Sequence, residues 1–124
     1  MTQPLALVLY ERLLPGTQLV NRLQDLNYRV QSLNDPAKLI ECAEELKPIL
    51  VLADLNSTAS NVCDAIARLK QNATTQHLPI IAFGAEQVHG LQAQAQQAGV
   101  TLLVSEAAIL NHLAECLQQA LEVD

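Results

Sequence analysis

The sequence predicts an α/β domain built as a doubly wound parallel sheet, and three observations carry that expectation. Five strand-like segments, at 5–9, 28–33, 49–53, 80–83 and 100–104, alternate with five stretches of helical apolar spacing. The central segment, 49–53, is apolar at every position and ends on Asp54, the pattern of a strand covered on both faces that delivers one carboxylate to the sheet's edge. Every connection has room for a right-handed crossover. The 124 residues fit a single domain over 1–124, with no linker, low-complexity tract or internal repeat.

The elements follow in order. Residues 5–9 form the first strand, closed by Tyr10 and Glu11. Pro15-Gly16 is expected to break the chain, so that a helix carrying Leu19, Val20, Leu23 and Leu26 on one side starts at Thr17 and ends at Asn27. Segment 28–33, with β-branched Val30, alternates as a half-exposed strand. Asp35 is placed to cap a helix over 37–46, Pro36 suits its first position, and Lys47-Pro48 closes it. After Asp54 the polar stretch 55–61 offers Ser60 and Asn61 as caps for a helix marked by Val62, Ala65, Ile66 and Leu69. A polar loop over 72–79 leads to the fourth strand, from which Gly84 permits a sharp exit. Residues 86–98 read as a helix terminated by a left-handed Gly99. Strand 100–104 precedes one last helix, capped by Ser105, with Glu106 near its positive end and Ile109, Leu113, Cys116, Leu117 and Ala120 facing inward.

Composition narrows the function. Half of the residues are hydrophobic but only Tyr10, Tyr28 and Phe83 are aromatic, so the core is aliphatic and no base-stacking platform is available. A net charge of −6 opposes binding to a phosphate backbone, and no nucleic-acid partner is expected. All seven basic residues lie in the first 70 positions, leaving 71–124 without Lys or Arg. The start of the chain lacks the features of a signal peptide, and no apolar run approaches the ~20 residues that span a bilayer. A cytoplasmic protein without membrane contact is the expectation. Cys42, Cys63 and Cys116 form no CxxC pattern and read as buried helical thiols, while His77, His89 and His112 share no metal-ligand spacing and read as surface or helix-end residues. Ser57, Ser60 and Ser105 lack a GxSxG context and the glycines are isolated, so no enzyme is expected.

Three segments, Pro48-Ile-Leu-Val-Leu-Ala-Asp-Leu55, Leu78-Pro-Ile-Ile-Ala-Phe83 and Ala98-Gly99, give the whole chain a form that resembles the receiver domain of bacterial two-component response regulators. The resemblance implies a flavodoxin-like, receiver-like three-layer sandwich with strand order 2-1-3-4-5. It also implies Asp54 as the phospho-acceptor position, Mg²⁺ held with an acidic pair after the first strand, a hydroxyl ending the fourth strand and a lysine ending the fifth. This chain departs from three of these. The segment Leu9-Tyr10-Glu11 has one acid, with Tyr10 or Glu11 in the second position of the pair, which leaves Glu11, Asp54 and the Asn56 carbonyl as the available metal ligands. Gly84 stands in place of the hydroxyl and Ser105 in place of the lysine, and no cation follows Lys70.

The leading expectation is therefore a stand-alone pseudo-receiver, a protein-protein interaction module that needs no cofactor and no aspartyl phosphorylation. Its partner would be a signalling protein or histidine kinase. One alternative is an atypical phosphorylatable receiver using Asp54 with Mg²⁺; another is a small-ligand sensor using the cleft beside Asp54. Asp54 could also be a plain solvated carboxylate bonded to the loop amides that follow it. The uncharged stretch 87–105 and the helix after it offer a face, with Leu91, Gln94, Val104 and Ala107 as candidate contacts, for a partner or for a homodimer through 87–121.

Overall fold

Strands β1 (Leu5–Leu9) and β3 (Leu50–Asp54) are buried at every position, as is β4 (Ile80–Phe83), because each has neighbours on both sides and helices over both faces. With β2 (Arg29–Leu33) and β5 (Leu102–Val104) they form one five-stranded sheet in the order β2-β1-β3-β4-β5, parallel throughout. This is the expected doubly wound arrangement. The computed structural model describes residues 4–10, 13–33, 35, 38–55, 62–84 and 91–122. Edge strand β2 carries the exposed side chains of Arg29, Gln31 and Ser32, matching its half-exposed pattern.

The pleat sends alternate residues to opposite faces, and the helices divide accordingly. Leu7, Leu9, Val51, Ala53, Ile80 and Ala82 pack beneath α2 (Leu39–Leu46), α3 (Val62–Gln71) and α4 (Leu91–Ala98). Ala6, Val8, Leu50, Leu52, Ile81 and Phe83 pack beneath α1 (Leu13–Asp25), α5 (Glu106–Asn111) and α6 (Leu113–Glu122). Each fully buried Leu or Ile here contributes roughly 1.5–3 kcal/mol relative to exposure. Among the described residues no helix is long and apolar enough to cross a membrane.

Four boundaries differ from the sequence expectation. Helix α1 starts at Leu13, so Pro15-Gly16 sits inside its first turn instead of breaking the chain. Proline is tolerated there because its missing N–H would have no intrahelical partner in any case. The N-cap of α2 is Lys38, without a side-chain capping bond, because a tight turn in which the Lys38 N–H donates to the Asp35 carbonyl at 3.1 Å comes first. β5 begins at Leu102, since Thr101 is occupied in bonding Ile80 through both its N–H (2.8 Å) and its hydroxyl oxygen (3.1 Å). The last helix is two, bent at His112 (φ −129°, ψ 35°), with the His112 N–H donating to the Ala108 carbonyl and its carbonyl accepting from the Cys116 N–H. Ile109 and Leu113 are both buried across the bend. Of the expected helix 86–98, residues 86–90 lie outside the described set, as do the expected caps Ser60 and Asn61.

The expected stops hold. Asn27 and Lys47 end α1 and α2 in left-handed conformations, at φ 70° and 52°, and Gly99 ends α4 at φ +104°. Gly99 has a second constraint: a Cβ there would stand 2.9 Å from Lys70 Cγ. The Lys70 stem lies across this turn while its Nζ donates to the carbonyls of Leu78 (2.8 Å) and Gln76 (3.3 Å). Partial burial pushes the Lys70 ammonium below the usual lysine pKa. Cys116 is buried and Cys42 half-buried, in line with inert helical thiols; His77 and His112 are exposed. The Cys63 side chain and His89 lie outside the described residues.

Gly99→Ala is expected to lower stability by about 1–3 kcal/mol, from positive-φ strain and the displaced lysine stem together. Urea unfolding monitored by circular dichroism measures it; the midpoint should fall at an unchanged slope.

Candidate functional site

The carboxyl edge of the sheet brings three of the sequence-selected positions side by side. Asp54 is the last residue of β3 and pairs in register with Phe83, which in turn pairs with Val104. Gly84 and Ser105, each one residue further on, are therefore level with one another and one step beyond Asp54. The backbone continues past the strands: the Leu55 N–H donates to the Phe83 carbonyl at 2.9 Å and the Gly84 N–H to the Val104 carbonyl at 3.3 Å. On the other side Leu9 pairs with Ala53, so Tyr10 stands level with Asp54. The residue beside the carboxylate is thus a half-buried phenol and not an acid. Glu11 follows it, and both Glu11 and Asn56 lie outside the described residues.

Asp54 is not the solvated strand-end carboxylate that the sequence allowed. Its exposure is 0 %, as complete as that of the apolar residues preceding it. No buried side-chain N or O atom among the described residues lacks a hydrogen-bond partner, so burial of Asp54 does not leave its oxygens bare. The strand position that fixes the residue also closes water out.

Gly84 leaves β4 at φ +89°, a conformation that a side chain disfavours, and it is buried. The glycine here thus accompanies a local backbone geometry suited to it. Ser105 has a hydroxyl, but that group is engaged: its Oγ accepts from the Ala108 N–H at 3.0 Å as the N-cap of α5. The last cation of the chain is held elsewhere. Lys70 closes α3 and bonds carbonyls of the segment leading into the start of β4, at the opposite edge of the sheet.

Among the described residues no group of three His, Cys, Asp or Glu side chains converges, and of the expected ligand set only Asp54 lies among them. Two surface grooves lined by described residues lie away from Asp54, one beside Arg22 and Leu110 and the other beside Lys47 and His77. Of the candidate contact residues, Gln94 and Ala107 are exposed and Val104 is half-buried, while the Leu91 side chain is outside the described set.

The whole arrangement has close counterparts among solved structures. The chain aligns with the receiver domain of a sensor histidine kinase from Pseudomonas aeruginosa at a TM-score of 0.87 and 20% identity, covering 98% of this chain and 100% of that one. That protein carries a magnesium ion coordinated in its active-site cleft. The response regulator domain of Thermotoga maritima CheB aligns at 0.80 and 18% identity over 99% of both chains. The fold is that of a receiver domain. A third receiver-type neighbour, the chemotaxis response regulator CheY4 of Vibrio cholerae, aligns at 0.83 and 16% identity over 96% of this chain and 99% of that one. No protein-family model and no curated protein matches the sequence.

Sequence reasoning found the edge positions of this receiver fold and the capping role of Ser105, but missed the burial of Asp54. Ser105 was legible both as a cap and as the residue in the lysine's place; the bond to Ala108 makes these one fact. The burial of Asp54 had no local signal, although Leu50 to Ala53 already marks both faces as covered.

Ser105→Ala should cost about 1 kcal/mol by removing the α5 cap, whereas Ser105→Thr should cost a few tenths. Thermal unfolding read by circular dichroism distinguishes the two.

Proposed function

We propose that this receiver-fold domain is a pseudo-receiver, a protein-protein interaction module that operates without conventional aspartyl phosphorylation. The observation that carries the reading is the condition of the two positions flanking the acceptor. Gly84 has no side chain to follow a phosphoryl group, and the Ser105 hydroxyl is occupied by the Ala108 amide. A phosphoryl group on Asp54 would raise the charge of that side chain from −1 to about −2, in a site whose neighbours supply neither the hydroxyl nor the lysine to meet it. The complete burial of Asp54 supports the same reading, because an attacking carboxylate must reach its donor.

Without a switch, function rests on surface. The α4–β5–α5 side offers Gln94 on a helix with no acidic residue in its first turn and no basic residue in its last, and exposed Ala107 next to Glu106 on α5. Depletion of charge is the compositional mark of an interface centre. We assign this face, where the sequence also admitted a homodimer, to a signalling protein such as a histidine kinase. The domain needs no cofactor and catalyses no reaction on this reading.

Incubation with acetyl phosphate and Mg²⁺, followed by intact mass measurement, is expected to leave the chain unmodified. A labile adduct of about 80 Da, present in the parent and absent from Asp54→Asn, overturns the proposal in favour of a phosphorylatable receiver. For the face, Gln94→Lys should reduce recovery of the signalling partner at least about tenfold at unchanged thermal stability; equal recovery places the contact elsewhere.

A further inference from the structure

The segment 72–78, a polar loop by its sequence, is pinned by three side chains. The Thr75 hydroxyl donates to the Leu69 carbonyl at 2.7 Å in a buried position, and Lys70 Nζ holds the carbonyls of Gln76 and Leu78. Asn72 works in both directions: its Nδ2 donates to Glu44 Oε2 on α2 at 2.8 Å, and its Oδ1 accepts from the Thr74 N–H at 2.8 Å. The loop therefore stands as a fixed wall against the carboxyl end of α2. Between the two lies a groove of about 230 Å³, with buried Ala43, Pro48 and Leu78 as its apolar floor and exposed Lys47, Thr74 and His77 around its mouth. Ala43 and Leu78 belong to the core layer beneath α2 and α3, so the floor is continuous with that layer at the amino edge of the sheet, opposite Asp54.

We infer that this groove binds a small cyclic monocarboxylate, with the ring on the apolar floor and the carboxylate at the mouth. The charge follows from the donors. The Lys47 ammonium, the Thr74 hydroxyl and the His77 ring all carry N–H or O–H groups, and an ionised carboxylate is an acceptor only. Among the described residues none of these three side chains has a hydrogen-bond or ion-pair partner, whereas Glu44, the acid bonded to this loop, is already met by Asn72. The body follows from the volume. An apolar cavity of about 150 Å³ takes benzene, so 230 Å³ takes a six-membered ring together with a carboxylate. The backbone agrees: Lys47 ends α2 in the left-handed region at φ 52°, where glycine is unstrained. A lysine there gives up some stability and places an ammonium beside the groove.

The net charge of −6 opposes any anion at long range, but that field decays within about 8–10 Å at physiological ionic strength, so the contacts at the mouth decide. A dissociation constant on the order of 1 mM is expected for so small a ligand with its charged end near water. The groove shares no residue with the Asp54 edge, so the site stands independently of the pseudo-receiver reading.

Amide chemical-shift titration of the intact chain with sodium benzoate, at constant pH and ionic strength, tests the inference. Saturable shifts are expected at Ala43, Lys47, Thr74, His77 and Leu78, with Gly84 and Ser105 unmoved. Benzyl alcohol keeps the ring without the charge and should bind at least about fivefold more weakly. Acetate and inorganic phosphate keep charge without the ring and should bind at least about tenfold more weakly. Lys47→Gly removes the ammonium and relieves the positive φ, so it should unfold thermally at or above the parent's midpoint while losing at least about threefold in benzoate affinity. Lys47→Gln should lose as much, and Lys47→Arg should stay within about twofold of the parent. Absence of saturable shifts at millimolar benzoate overturns the inference. So do shifts centred on other residues, equal binding of the alcohol or of acetate, and Lys47→Gly or Lys47→Gln variants that bind benzoate as the parent does.

Discussion

A strand at the centre of a parallel sheet has no face turned to water, and β3 obeys that constraint through its last residue. Leu50, Val51, Leu52 and Ala53 are excluded from solvent, and so is Asp54. The neighbours follow from it: β1 and β4 must also be aliphatic throughout, since helices cover both layers. A carboxylate in such a place is costly unless its oxygens are bonded, and among the described residues no buried polar side-chain atom is left without a partner. Asp54 is thus tied into the architecture before any chemistry is asked of it.

The positions around it answer to backbone demands in the same way. Gly84 accommodates a positive φ as β4 ends, and Ser105 holds the first turn of α5. A lysine at 105 would leave the Ala108 amide without this cap, and a hydroxyl-bearing side chain at 84 would be strained. The residues at 84 and 105 are thus the ones these local geometries favour. Its last cation, Lys70, serves a structural purpose at the far edge, binding two carbonyls and resting against Gly99.

The sheet was legible in the sequence because two-sided burial writes itself as unbroken apolar runs, and the helix stops were legible from Asn27, from the proline after Lys47 and from Gly99, of which only Gly99 was expected in the left-handed conformation that all three adopt. What escaped has equally physical causes. Pro15 reads as a breaker, but within the first helical turn it forfeits no hydrogen bond. The bend at His112 is invisible to periodicity, since Ile109, Leu113, Cys116 and Leu117 keep facing the core across it. The burial of Asp54 and the packing of Lys70 on Gly99 depend on elements distant in sequence, which local pattern does not encode. Within the candidate site, the identities at 84 and 105 were readable; the register that sets Tyr10 beside Asp54 was not.

Helix α5 joins the proposed partner face to the groove beside α1. Ala107 lies on the partner face and Leu110 in the α1 groove, three residues apart in a helix of six whose first turn is held by Ser105. A short helix has little cooperative reserve, so its cap matters more than the same cap on a long one. The cap is worth about 1 kcal/mol, comparable to the lower end of coupling energies between binding sites. Engaging Ser105 with Ala108 therefore holds Ala107 and Leu110 in a fixed relation across the helix.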